Sequence, residues 1–329
     1  MSNPKVSIIT VNYNNKRFLD KCLASIRKID YPNYEVILVD NNSIDKSVEM
    51  VKKKYPWTKV IKNQRNFGFA KANNQGVKKA SGSYLFFLNN DAKIAKKTIS
   101  LLVKKMEEEK NLAICGCRIL SYDGKVYFHT GIDIDIFGFP VNNGRLFYTD
   151  GAAMMVRKKI FNQLGKFDEK YFIFHEDIDL CWRVLLSGYQ IAALPEAIVY
   201  HFIGASAGGN FPGPEKYQST ILRRYYSERN NLRTILKNYS LISLFFVLPV
   251  YLFINFGEIL LFILVLKPKM IFYYLKAYLW NIINIKDTIK KRNTIQGKRK
   301  ISDLELIRKM SFGSGKFLMF KKIGLPAFN

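Results

Sequence analysis

Polar residues gather at the points where apolar runs stop. Asn12-Tyr13-Asn14-Asn15 closes the run at 6–11, Asp40-Asn41-Asn42-Ser43-Ile44-Asp45 closes the run at 34–39, and Asn89-Asn90-Asp91 closes 84–88. A fourth group, Asn66-Phe67-Gly68-Phe69-Ala70 followed by Asn73-Asn74-Gln75-Gly76, precedes the third of these. Amide donors, small side chains and carboxylates are the groups a nucleotide needs around its base, ribose and phosphates. Further on, Glu176-Asp177, with Asp179 close behind, offers a general base, and His201 a metal ligand or proton carrier. Each piece has a plain structural alternative. Asn and Asp after a strand are ordinary turn formers, Ser43 suits a helix N-cap, acids in a first helical turn complement the helix dipole, and a single His after a strand usually serves the structure.

Chemistry at such points depends on what holds the points together. Unbroken apolar runs at 6–11, Tyr34–Asp40, 59–61 and Tyr84–Leu88 are expected as strands. Between them, 16–28, 43–54, 70–80 and 97–108 carry apolar residues at helical spacing, such as Phe18, Leu19, Cys22, Leu23 and Ile26. Strand and helix in alternation predict an α/β fold with a mainly parallel sheet flanked by helices, whose ligands sit at the carboxyl ends of the strands. From 116 the pattern is less regular: a strand at 151–156, a short helix at 161–167, a helix begun near Glu176 and closed at Gly188, then a strand at 197–200. No GxGxxG follows the first strand and no GxxxxGK[ST] occurs anywhere, which speaks against a dinucleotide-dependent dehydrogenase and a P-loop NTPase.

Composition excludes other classes. With 329 residues and 48% apolar content the chain can bury a full core, so a disordered polypeptide is excluded. Four cysteines (Cys22, Cys115, Cys117, Cys181) are too few for a disulfide scaffold, and Cys115-Gly-Cys117 is one residue short of CxxC. They are expected as reduced, mostly buried thiols. The opening run, Val6-Ser7-Ile8-Ile9, is too short for a signal peptide and is expected as a strand. Net charge is +26, and it is uneven: residues 221–329 hold 20 Lys and Arg against 5 Asp and Glu. A basic, aromatic-rich tail fits nucleic acid, an anionic membrane surface or a phosphorylated substrate.

Taken in order, VSIITVNYN at 6–14, VDNNS at 39–43, residues 66–76, LNND at 88–91, GKFDE at 165–169 and HEDIDLCWR at 175–183 resemble the family 2 inverting glycosyltransferases of GT-A fold, in particular their rhamnosyl- and galactofuranosyltransferase-like members. The resemblance covers about residues 5–235 and rests on the order and spacing of six motifs, none specific alone. It implies a nucleoside-diphosphate-sugar donor, a glycan or lipid-linked acceptor hydroxyl and a divalent metal, Mg²⁺ or Mn²⁺. Position by position, it implies that Asp40 holds the nucleobase beside a wall of Thr10, Asn12 and Tyr13, with Asn66, Gly68, Asn89 and Asn90 also on the donor. Asp91 is the last residue of the DXD element and the metal ligand, and His201 completes the metal site. Asp177 is the catalytic base with Glu176 beside it, while Asp150 and Gly151 face the acceptor. The first acid of the DXD element is Asn89 here, a departure; an amide can meet a sugar hydroxyl or a metal-bound water. The chemistry asks for these residue types: a departing diphosphate gains charge that a hard cation stabilises, and a sugar hydroxyl must lose its proton as it attacks. Arg65 or Lys71 is a candidate for the diphosphate. A nucleotidyltransferase also needs such a sheet and a metal, but no Gly-rich, basic loop follows the first strand. A non-catalytic sugar-nucleotide or nucleic-acid binder would use the basic tail instead.

The expected organisation is a catalytic domain over 1–220 (nucleotide half 1–115, acceptor and base half 116–220), a basic and apolar helical membrane-associating region over 221–297, and a basic, partly mobile tail over 298–329. Residues 223–237 resemble the YYxxRN stretch that follows the catalytic domain in the family. Residues 241–266 contain no Lys, Arg or Asp, enough to cross a bilayer, but Glu258 lies inside and lysines flank the apolar, aromatic run at 270–285 on both sides, which favours monotopic or re-entrant attachment in the interface over a single span or a buried helical subdomain. The tail's expected partner is therefore the cytoplasmic side of a membrane rather than nucleic acid.

Overall fold

Strands with apolar residues at every position need cover on both faces, and the fold supplies it. The computed structural model of the chain describes residues 3–141, 143–202, 218–323 and 327–328; Gly204-Ala205-Ser206 after His201 lies outside them. The first half runs β1 (Val6–Asn12), α1 (Lys16–Ile26), β2 (Tyr34–Asp40), α2 (Ser47–Lys54), β3 (Thr58–Lys62), α3 (Gly68–Lys79), β4 (Tyr84–Leu88), β5 (Ala92–Ile94) and α4 (Thr98–Glu108). The second runs β6 (Leu112–Ser121), β7 (Tyr127–Thr130), β8 (Asp133–Ile134), β9 (Pro140–Val141), β10 (Ala153–Arg157), α5 (Lys158–Gln163), a 3₁₀ turn (Glu169–Tyr171), α6 (Glu176–Leu186) and β11 (Gln190–His201).

The main sheet has the order β3-β2-β1-β4-β10-β6-β11-β5, with β7 paired to β6. The first four strands are parallel, as the alternation predicts. Beyond β4 the sheet is mixed, because β10 enters antiparallel to both β4 and β6 and β5 antiparallel to β11. Successive strand residues face opposite sides. Ile9, Ile37, Val39 and Phe87 pack under α3, α5, α6 and the later helices. Ile8, Val36, Leu38 and Phe86 pack under α1, α2 and α4. Each such side chain fully buried is worth about 1.5–3 kcal/mol. All four cysteines are buried and free.

Helix α2 begins at Ser47, four residues later than expected, for a local reason. The Ser43 hydroxyl and amide are taken by Asp40 at 2.6 and 2.9 Å, so Ser43 does not cap the helix. Asp45 bonds the Ser47 amide at 3.0 Å instead, after Lys46 turns through φ 61°.

After a two-residue strand, β12 (Gln218–Ser219), the tail folds as α7 (Ile221–Asn238), α8 (Leu241–Leu264), α9 (Pro268–Ile283), α10 (Ile285–Gln296), α11 (Asp303–Ile307) and α12 (Gly315–Ile323), and β13 (Ala327–Phe328) pairs with β12. Residues 298–315, expected as part of a mobile tail, are docked on the body. The amide of Lys300 donates to the Leu186 carbonyl at 2.7 Å, that of Ser311 to the Ile134 carbonyl at 2.9 Å, and that of Gly315 to the Asp135 carboxylate at 2.6 Å. Leu306 and Met310 are fully buried in the larger core. The charge of this stretch hid that docking, since its polar and charged side chains bond back to the body, as Arg299 does to the Asn238 carbonyl and Asp303 to the Ser240 amide, around two apolar residues.

Candidate active site

The chain order 3-2-1-4 reverses between β1 and β4, and a crevice opens there at the strand ends. Its floor is a hydrogen-bonded block. Asn12 Nδ2 donates to Asp40 Oδ1 at 3.0 Å, and Asn90 Nδ2 donates to Asn12 Oδ1 at 2.8 Å. Thr10, Asn12 and Asp40 are fully buried, and the carboxylate of Asp40 is engaged by Asn12 and Ser43. Tyr13 stands exposed at the rim. Asn66, Gly68, Asn89, Asn90 and Asp91 line a cleft of about 590 Å³ together with Asp150, Gly151, Glu176, Asp177 and His201. Eleven of the fourteen sequence-predicted residues therefore meet in one cavity, with Thr10, Asn12 and Asp40 forming the layer beneath.

Register brings Asp91 to His201 across 110 positions. β5 begins one residue after Asp91 and pairs antiparallel with the end of β11, setting His201 opposite Ala92. His201 Nε2 lies 3.0 Å from Asp91 Oδ1 and 3.3 Å from Asn89 Nδ2, with His201 and Asp91 both buried. The Asp91 hydrogen bond and charge outweigh burial and raise the imidazole above its usual value. Similarly, β10 pairs with β4 so that Ala153 meets Leu88. That register puts Asp150 and Gly151 beside the tip of β4, where the Asn89 amide donates to the Ala152 carbonyl at 2.9 Å.

Glu176 and Asp177 form the first turn of α6, whose N-cap His175 is left-handed at φ 66°. Asp177 Oδ2 accepts from the Gly151 amide at 3.0 Å, and its Oδ1 from the Ile178 amide at 2.8 Å. Burial and then the negative charge of Asp150 push the Asp177 carboxyl up to about 6, against those amides. Burial and the neighbouring Asp177 push Glu176 well above the usual carboxylate range, and Glu176 Oε2 has no partner among the described residues. Burial acts on Asp150 the same way, but a hydrogen bond from His129 and the charges of His129 and His201 prevail and bring it to about 2. Close carboxylates with separated affinities for a proton suit acid–base work.

Sequence reasoning missed two neighbours. His129, on β7, lies 3.4 Å from Asp150 through Nε2. Arg223, on α7, is the one Lys or Arg among the described lining residues, its guanidinium 5.3 Å from the Phe174 ring. The candidates Arg65 and Lys71 stack instead on the Phe67 ring, at 4.9 and 4.4 Å, and do not line the cleft. Nothing local in the sequence marks Arg223, because the tail reaches the cleft only after the whole sheet is built.

Asp91 and His201 offer a carboxylate oxygen and an imidazole nitrogen at one point of the wall. Among the described residues no third His, Cys, Asp or Glu joins them. Two such donors fit an Mg²⁺ or Mn²⁺ ion that keeps waters and takes phosphate oxygens for its remaining positions; they do not fit a closed, all-protein metal site.

Residues 7–165 match the sequence model of "Glycosyl transferase family 2". Over that stretch the chain carries a family 2 glycosyltransferase domain. It is 26% identical over 228 residues to "O-antigen biosynthesis protein RfbC" of Myxococcus xanthus, covering 62% of this chain and 18% of that protein, so the chain spans less than a fifth of that relative's length. It is 24% identical over 236 residues to the "N-acetylglucosaminyl-diphospho-decaprenol L-rhamnosyltransferase" of Mycobacterium tuberculosis, covering 61% and 77%. Among solved structures, "Mannosyltransferase PcManGT from Pyrobaculum calidifontis in complex with GDP-Man and Mn2+" superposes with a TM-score of 0.54 at 15% identity, covering 90% of this chain and 86% of that one. At that identity the likeness is one of fold, the GT-A architecture of the family 2 domain. The family match ends at 165, short of Glu176 and Asp177.

Proposed function

We propose that the chain transfers a sugar from a nucleoside diphosphate to a hydroxyl of a glycan or lipid-linked acceptor, with inversion, at the cytoplasmic face of a membrane. The observation that carries this reading is the convergence of Asp91, His201 and Asp177 on one cleft at the switch point of a family 2 sheet. Asp177 accepts the proton of the acceptor hydroxyl as its oxygen bonds the anomeric carbon, and the bond from that carbon to the diphosphate breaks. One base carboxylate suffices for this single displacement; a retaining route would need a second as nucleophile. With its affinity raised to about 6, Asp177 is ionised at pH 7 and still basic enough to take a proton. The Gly151 and Ile178 amides orient it, and the negative charge of Asp150 keeps its proton affinity up against them. Arg223 faces the diphosphate from the tail side. A divalent metal on Asp91 and His201, when bound, would supply Lewis-acid stabilisation of the leaving diphosphate.

Membrane attachment is supported by the tail. Helix α8 buries Val247, Tyr251, Asn255 and Phe262 against the body, yet Leu241, Ile242, Phe245, Phe246 and Phe253 are each 67–76% exposed. Helix α9 adds Phe272, Leu275, Leu279 and Ile283, and Lys267 before α9, Lys269 and Lys276 on it, and Lys286 and Lys290 on α10 are exposed. Apolar patches of this kind mark contact surfaces, and lysines around them suit anionic headgroups. Glu258 sits on the body side, held by Arg224, by the Tyr274 hydroxyl at 2.6 Å and by Lys316 at 2.9 Å. That fit supports α8 lying in the interface rather than crossing it.

The test is a panel of nucleotide-sugars with Mg²⁺ or Mn²⁺, read by nucleoside-diphosphate release and thermal shift. Metal-dependent stabilisation and turnover by one donor is the expected result. A folded protein that responds to no donor, with or without membrane lipid, would overturn the reading.

A further inference from the structure

The segment that leads into Glu176-Asp177 is strained. Phe172, Phe174 and His175 all take positive φ, at 68°, 68° and 66°, a region that strains non-glycine residues. Such a loop persists only where its surroundings impose it. Its carbonyls are not used by any strand. Those of Tyr171, Ile173 and Phe174 accept from one side-chain amide, Asn230 Nδ2, at 3.0, 2.8 and 2.8 Å.

Asn230 lies on α7, fully buried, and its orientation is fixed in turn. Arg229 Nε donates to Asn230 Oδ1 at 2.9 Å, which turns the amide NH₂ toward the loop. Arg229 Nη2 meanwhile donates to the carbonyls of Lys170 and Tyr171 at 3.0 and 2.6 Å. The guanidinium is itself sandwiched by Tyr226 and Trp280, at 4.6 and 4.3 Å from the ring centroids. Of the loop's other carbonyls, Phe172 O accepts from the Phe69 and Ala70 amides at 2.6 and 3.3 Å at the start of α3, and His175 O from the Asp179 amide within α6. One loop therefore joins the donor-side motif, the acid pair and the tail.

We infer that Asn230, oriented by Arg229, is a positioning residue for the reaction: its amide holds the 171–175 loop in the conformation that sets Asp177 beside Gly151. It touches no reacting atom and acts through the backbone. This rests on the reading of Asp177 as the base. Loss of the amide takes the Asn230 donor from the carbonyls of Ile173 and Phe174, while Tyr171 O keeps Arg229, and the loop relaxes toward ordinary φ, carrying the first turn of α6 with it.

The experiment uses the full chain and the variants Asn230→Asp, which keeps shape but removes the donor, Asn230→Ser, and Arg229→Lys. With the donor found for the parent protein, kcat is expected to fall roughly 10²-fold in the Asn230 variants, the loss a displacement of about 1 Å produces, and less in Arg229→Lys. Donor dissociation constants are expected to stay within about 2-fold of the parent. Hydrogen exchange, which needs no activity, is expected to quicken at the amides of 172–177 while the sheet stays protected. A parent-like kcat and parent-like exchange at 172–177 in a folded Asn230→Ser protein overturn the inference. So does a uniform rise in exchange across the sheet in all three variants, which marks a purely structural role. If the parent transfers no sugar, the proposed function fails, while the exchange pattern still decides whether Asn230 holds the loop.

Discussion

Asp177 and Gly151 are tied by a 3.0 Å hydrogen bond from the glycine amide to Oδ2, joining the first turn of α6 to the entry of β10. A Cβ on Gly151 would stand 3.4 Å from that of Asp177, so the backbone reaches the carboxylate without crowding it. The bond fixes one oxygen of Asp177 and leaves its reactivity to be set by burial and by Asp150.

The first prediction follows from that arrangement. Asp177→Asn is expected to lower transfer by at least about 10³-fold while donor binding by calorimetry stays near the parent value; comparable activity would remove Asp177 as the base. In the parent, the rate is expected to fall as pH drops through about 6, where Asp177 takes up a proton. The stability effect has the opposite sense. A carboxyl raised in the folded state binds more protons folded than unfolded, so stability declines between pH 4 and 6 and the deficit persists above. Asp177→Asn is thus expected to be more stable than the parent at pH 7, by on the order of 1–3 kcal/mol, and equal to it at pH 3.

Asp91 and His201 carry the second. Asp91→Ala is expected to raise the Mn²⁺ concentration needed for half-maximal donor stabilisation about 10-fold or more, because the protein contributes so few ligands that losing one cannot be absorbed. His201→Ala should do the same more weakly. The check is thermal shift against Mn²⁺ at fixed donor, and an unchanged metal requirement in both variants would count against the pair.

Much of this was legible in the sequence and some was not, for reasons that differ by residue. Strands β2 and β4 fall at their expected bounds because their apolar runs end in Asp and Asn. The tips Asn12, Asp40 and Asn89–Asp91 were legible because a parallel sheet places successive strand ends together. From its own surroundings His201 was legible only as a lone residue, and the family resemblance alone paired it with Asp91, since their meeting depends on the β5–β11 register, which no local pattern encodes. β6 and the full length of β11 were not read as strands, as Leu112–Ser121 and Gln190–His201 mix polar and small residues without a clean period. Arg223 and Asn230 act on the site from a helix more than forty residues beyond Asp177. The sequence shows them only as part of a YYxxRN-like stretch, with nothing to say which loop they hold.

The third prediction concerns how that helix is held. Asp168 is buried and accepts from Arg233 Nε at 2.9 Å and Lys237 Nζ at 2.8 Å, with Lys291 on its other oxygen. Burial opposes its charge, but these three cations prevail and hold its carboxyl well below the usual range. Asp168→Ala leaves the guanidinium of Arg233 and the ammonium of Lys237 buried without that partner, which costs about 3–5 kcal/mol. Urea denaturation at pH 7 is the check. A group whose affinity is lowered by folding stabilises above its unfolded value near 4 and loses that contribution as pH falls further. The gap between parent and variant should therefore narrow below pH 4.

The last prediction is about the membrane. Deleting 241–329 is a poor test, because Tyr251, Leu306 and Met310 belong to the main core and Asp303 holds the Ser240 amide at 2.7 Å; loss of that much buried surface is expected to unfold the body. The outer face of α8 offers a cleaner route. Phe245, Phe246 and Phe253 are 67–76% exposed and contribute little to the core, so changing all three to Ser should leave the melting temperature within a few degrees. If α8 lies on lipid, each ring withdrawn removes about 1.5–3 kcal/mol of apolar transfer, and the triple variant should stop co-sedimenting with anionic vesicles at moderate salt. Raising the salt should weaken the parent's binding without abolishing it, since screening removes the lysine attraction and leaves the apolar contact. A triple variant that still sediments with vesicles at high salt would show that the attachment lies on another surface.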